Sequence, residues 1–124
     1  MDDTRQIAED HFYTALEFFA QGNPEEAIKE YRAALDADPT YTDALHGLAR
    51  IYQDLNRYDE AIAIAQKLAT LDPDDVLPHT SLSILYQKKG MIAEAEEEAN
   101  RARVLGWKQQ LKQSAQKKGP DSSV

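Results

Sequence analysis

The chain has 124 residues, no cysteine and a formal net charge of −8, which predicts one domain able to bury roughly two thirds of its unfolded surface and leaves no disulfide or thiolate metal site. The charge is uneven, −13 over residues 1–100 against +5 over 101–124, so most of the surface repels nucleic acid. The acidic start Met1-Asp2-Asp3-Thr4-Arg5 lacks the basic, then apolar, make-up of a secretory signal and no run approaches the roughly eighteen apolar residues of a membrane span, so a cytoplasmic protein without membrane or nucleic-acid partners is expected.

In chain order, apolar residues recur at helical spacing over about 4–20, 24–37, 41–54, 58–71, 76–88, 91–105 and 107–117, which predicts an all-α protein. The first helix should stop before Gly22. Asn23-Pro24-Glu25-Glu26 reads as an N-cap, a first-turn proline and acids that complement the helix dipole, so the second helix starts there. Asp38-Pro39 and Asp72-Pro73 break the pattern again, and Asn56 and Gly90 occupy turns equivalent to Gly22. Asp75 can cap the fifth helix and leave Pro78 in its first turn. Trp107, Leu111 and Ala115, at four-residue spacing among Lys108, Gln109, Lys112 and Gln113, read as a seventh, capping helix over 107–117, and 119–124 as a flexible tail. The cations Arg101, Arg103, Lys108, Lys112, Lys117 and Lys118 read as solvated charge complementing a helix C-terminus, with an anionic-partner patch as the alternative.

These elements repeat. Ala27, Ala61 and Ala95 are 34 apart, as are Phe18, Tyr52 and Tyr86, and Pro39 and Pro73. Ala15, Ala49 and Ser83 keep the same register, so a small side chain always stands where two helices of a hairpin must approach closely. A hairpin cannot bury its apolar face alone, and three must stack. The pattern resembles the tetratricopeptide repeat family over residues 8–109, as repeats 8–41, 42–75 and 76–109. The second repeat carries the family's Leu45, Leu48, Ala49, Tyr52, Ala61, Ala65, Leu68 and Pro73; the departures are His11 and His79 at the fourth position, Thr14 for leucine and Trp107 for the closing proline. The resemblance implies an α-solenoid of three antiparallel helix pairs with a seventh capping helix, in one domain spanning 1–118.

The same resemblance implies a concave face built from the first helix of each repeat. The candidate partner-binding residues on it are Phe12, Tyr13, Leu16 and Phe19 in the first repeat, His46, Gly47, Arg50 and Gln53 in the second, and Leu77, Ser81 and Ile84 in the third. Phe12, Tyr13, Leu16 and Phe19 form an apolar cluster of the kind that marks contact surfaces, unless Phe12 or Phe19 packs near Ile7. Gly47, inside a helix, would let a ligand backbone approach, or reflects drift alone. Arg50 would pin a partner's carboxylate unless Asp43 or Asp54 claims it. The family's carboxylate clamp for chaperone C-termini is absent, because Phe12, Leu16, Gly47, Leu77 and Ser81 stand at its positions.

No phosphate-cradling loop, nucleophile motif, metal set or cofactor site is evident, and His11 and His79 read as packing residues repeated by the period. The expected function is therefore a non-catalytic scaffold or adaptor that takes a peptide or helix with a hydrophobic anchor and an acidic group. The alternatives are a self-assembling module stacking through its ends, or a secretion-type chaperone holding a partner segment. A monomer is expected, with a homo-oligomer as the alternative.

Overall fold

The computed structural model describes residues 3–117. Lys118 and the tail at 119–124 lie outside the described residues. Six helices, α1 (Asp3–Ala20), α2 (Pro24–Ala37), α3 (Thr42–Asp54), α4 (Tyr58–Leu71), α5 (Leu77–Lys88) and α6 (Ile92–Lys117), pair as the hairpins α1–α2, α3–α4 and α5–α6. The chain divides between Leu71 and Asp72 into two compact bodies, the first two hairpins and the third.

One turn is built three times. Gly22, Asn56 and Gly90 take φ of +77°, +58° and +77°, the left-handed region that glycine enters freely and asparagine tolerates. The next residue donates its N–H five residues back, Asn23 to Phe18 O at 2.9 Å, Arg57 to Tyr52 O at 2.8 Å and Met91 to Tyr86 O at 2.8 Å. The left-handed residue bonds three back in each case, which satisfies the last carbonyls of the first helix and reverses the chain. Asn23 stands before α2 without a side-chain cap bond, so the proline and the acids of the first turn carry that start. Asp75 does act at α5, accepting the Leu77 N–H at 3.0 Å.

Within the hairpins the small residues lie where the period puts them. Ala15, Ala27 and Ala61 are fully buried and Ala95 nearly so. In the third hairpin the Ser83 hydroxyl donates to the Ala95 carbonyl at 2.9 Å, so the one polar spacer is satisfied. Between α2 and α3, the third, seventh and tenth positions of the second repeat are Ala44, Leu48 and Ile51, all buried. The first repeat has Asp10, Thr14 and Glu17 there, polar and at least partly exposed.

The seventh helix is not present among the described residues. α6 runs unbroken through Gly106 and Trp107, because a glycine permits a helix to end without imposing it and no proline stands between Gly106 and the end of α6. Trp107 is 66 % exposed and Leu111 57 %, so neither covers the third hairpin. The face such a cover would need is itself polar: Glu96, Asn100 and Arg103 stand where the first repeat has Ile28, Arg32 and Leu35, and Arg103 bonds Asn100. A repeat that is polar on this face needs no apolar lid to stay soluble.

Candidate functional site

α1 and α3 are walls of a groove of about 280 Å³ in the N-terminal body, with Tyr31 of α2 at its floor. The α1 wall presents Phe12, Leu16 and Phe19; the α3 wall presents Asp43, His46, Gly47, Arg50 and Ile51. Leu16 and Phe19 are 39 % and 38 % exposed, apolar area left open to water on a protein whose other large side chains in this body are mostly enclosed.

Tyr31 is the residue the sequence reading missed, and it explains Gly47. Its side chain is 2 % exposed, and a Cβ on Gly47 would meet its ring, within 2.6 Å of Cε1 and 2.8 Å of the hydroxyl oxygen. The glycine is therefore neither drift nor simply a free approach for a ligand backbone, because this chain's own aromatic ring occupies the space. Burial also holds the Tyr31 phenol above its ordinary pKa.

Phe12 is more enclosed than the sequence suggests. Its ring meets Tyr13 at 5.4 Å, Tyr31 at 5.9 Å and Tyr41 at 5.6 Å between centroids, so it packs against other aromatic rings, the Tyr31 of the groove floor among them. Arg5 stacks over Tyr41 at 4.6 Å and pairs with Asp38 at 3.5 Å. Burial, then the nearby Asp43 and Glu9, raise the Tyr41 pKa. These ring contacts tie α1 to Tyr31 of α2 and to Tyr41 at the start of α3.

Arg50 pairs with Asp54 at 3.5 Å, not with Asp43, and its side chain is 72 % exposed. An exposed i,i+4 pair of this length is weak, so the guanidinium is still available to a partner. His46 is exposed beside it. Tyr13 and Gln53 do not line the groove. Leu77, Ser81 and Ile84 follow one face of α5 in the other body, the first and last exposed and Ser81 half-buried.

The histidines at the fourth repeat position carry a pattern the sequence reading did not extract. His11 Nδ1 lies 2.7 Å from Glu30 Oε1, and His79 Nδ1 lies 2.7 Å from Glu98 Oε1, each glutamate nineteen residues on. The second repeat has Leu45 and Ile64 at these places. Glu98 is buried and also accepts from Arg101 at 2.6 Å. The recurrence of a histidine with a glutamate nineteen residues later was the available signal. Among the described residues no group of three or more histidine, aspartate or glutamate side chains could hold a metal.

The described helices include none long and apolar enough to cross a membrane. No curated protein sequence matches the chain significantly. Among solved structures it is similar to MamA, with a TM-score of 0.77 at 24 % identity over 86 % of this chain. It spans only 62 % of that protein. The C-terminal domain of a putative FK506-binding protein of Plasmodium falciparum aligns with a TM-score of 0.71 at 26 % identity, covering 86 % of this chain and 82 % of that one. The type III secretion chaperone SycD of Yersinia enterocolitica, solved in complex with a peptide of the translocator YopD, aligns at 0.70 and 26 %, covering 78 % and 74 %. The model of the tetratricopeptide repeat matches residues 18–83, more than half of the chain, and with three hairpins closed by one recurring turn, the chain belongs to the tetratricopeptide repeat family.

Proposed function

We propose that the protein is a non-catalytic, cytoplasmic interaction scaffold whose residues 1–118 act as one repeat domain and which binds a partner peptide or helix in the groove between α1 and α3. The observation that carries this reading is a preformed groove with exposed Leu16 and Phe19 on one wall and the accessible Arg50 guanidinium on the other. A ligand that fits it has a hydrophobic anchor for the α1 wall and a carboxylate for Arg50, and helix-in-groove or extended-peptide recognition both supply such anchors. Tyr31 and Gly47, packed together, give the floor a fixed shape, which limits the ordering cost of binding.

The chaperone reading, in which the groove holds a segment of a larger partner, draws on the likeness to SycD and its YopD peptide. Both readings need the same surface. Photo-crosslinking in the native host, followed by titration of the captured partner's segment, tests them together. Leu16→Ala and Arg50→Glu should each weaken binding at least tenfold, a loss of about 1.4 kcal/mol. Lys29→Glu, on α2 and outside the groove, should bind normally. Unchanged affinity in both groove variants with loss in the Lys29 variant would move the working surface elsewhere.

A further inference from the structure

The second half of α6 has a face that neither the groove nor the hairpin core uses. Val104, Trp107 and Leu111 stand at i, i+3 and i+7, all more than half exposed. Arg103, Lys108 and Lys112, exposed, flank them, and no acid occurs anywhere in 101–117. Gln109, Gln110, Gln113 and Ser114 limit the apolar strip to a single narrow line. That width suits a helix–helix seam; a helix lying in a bilayer surface needs a broader apolar face.

The basic flanks decide what can lie on the seam. A second α6 would set like charges against each other, so the complementary helix is acidic. This chain supplies one. α1 carries Asp3, Asp10 and Glu17 at seven-residue steps, all exposed, beside the half-exposed Ile7, and no cation of its own lies on that line. We propose that the α6 seam of one copy takes the outer face of α1 from a second copy, with Trp107 and Leu111 packing beside Ile7 and Lys108 and Lys112 facing the acids. Because the two faces differ, each copy has one of each and association is head-to-tail.

The test uses the full chain in sedimentation velocity over a concentration series, with the emission of Trp107, the only tryptophan, followed in parallel. Mass should rise with concentration and fall with added salt, and emission should shift to the blue as copies associate. Lys108→Glu/Lys112→Glu and Asp10→Lys/Glu17→Lys should each weaken self-association roughly tenfold or more, with unchanged far-ultraviolet circular dichroism because all four positions are exposed. An equimolar mixture of the two variants should associate again, since each then offers the face the other needs. Should the Asp10 variant fail to fold, Glu17→Lys alone replaces it. A wild-type chain that stays monomeric at high micromolar concentration overturns the proposal. So does a mixture that fails to restore association, which would assign the seam to a different helix, or Lys108-dependent binding to phosphatidylserine vesicles without self-association, which would assign it to a lipid surface.

Discussion

Gly47 shows how one atom settles competing effects. In an exposed helix a glycine-to-alanine change gains about 1 kcal/mol from helix propensity. Here the added methyl meets a buried tyrosine ring, and overpacking of this kind costs about 1–3 kcal/mol. Gly47→Ala is therefore expected to lower the thermal midpoint. With Tyr31→Ala already in place, the same change should cost much less, and the double variant will be more stable than the sum of the singles predicts. Strict additivity in denaturant melts would reject the contact. Tyr31 and Tyr41 also make the protein sensitive to alkali. Both phenols are raised in the folded state, so the folded chain holds protons that the unfolded chain releases. Their contribution is complete below the unfolded value near 10 and is lost as pH rises through the folded values. Melting temperatures should fall above about pH 10, less steeply in Tyr31→Phe. At this scale the sequence was only partly legible. A glycine within a helix signalled close approach but not its partner, because Tyr31 lies sixteen residues away on another helix. Arg50 was ambiguous between two acids until helical geometry placed Asp54, one turn on, within 3.5 Å.

Elements were read more reliably, since spacers and turns act locally. The alanines at 34-residue intervals and the left-handed turn residues located five of the six described helices to within a residue or so. Ala61, fully buried, should be among the least tolerant positions, and Ala61→Phe is expected to cost about 1–3 kcal/mol or more in calorimetry. Gly90→Ala should cost about 1 kcal/mol by forcing a side chain into the left-handed region, without the core damage of the Ala61 change. The expected break between residues 105 and 107 is the exception, because a glycine does not by itself end a helix. Nothing at Gly106 opposes the helix, and α6 continues. Deleting 107–124 is accordingly expected to leave the melting temperature nearly unchanged, because the removed Trp107 and Leu111 cover no core. A marked loss of stability in the dilute, monomeric protein would restore the capping role.

For the whole molecule, charge balance dominates what composition can say. Residues 1–100 hold an excess of thirteen negative charges, and such self-repulsion lowers the stability of a compact state until salt screens it. The thermal midpoint should rise with moderate salt while self-association falls. Opposite responses to one variable separate folding from assembly in a single titration. The polar faces of α1 and α6 carry a further consequence. Asp10, Thr14 and Glu17 stand where the second repeat has the apolar Ala44, Leu48 and Ile51, and Glu96 and Arg103 stand where the first has Ile28 and Leu35. Duplicating a hairpin in the gene and appending it after α6 would therefore not lengthen the solenoid by itself, since the newcomer would meet a surface that keeps its water. Exchanging Glu96 and Arg103 for the isoleucine and leucine of the first repeat, and Asn100 for its arginine, is the edit that would let α6 receive a further hairpin as α2 receives α3.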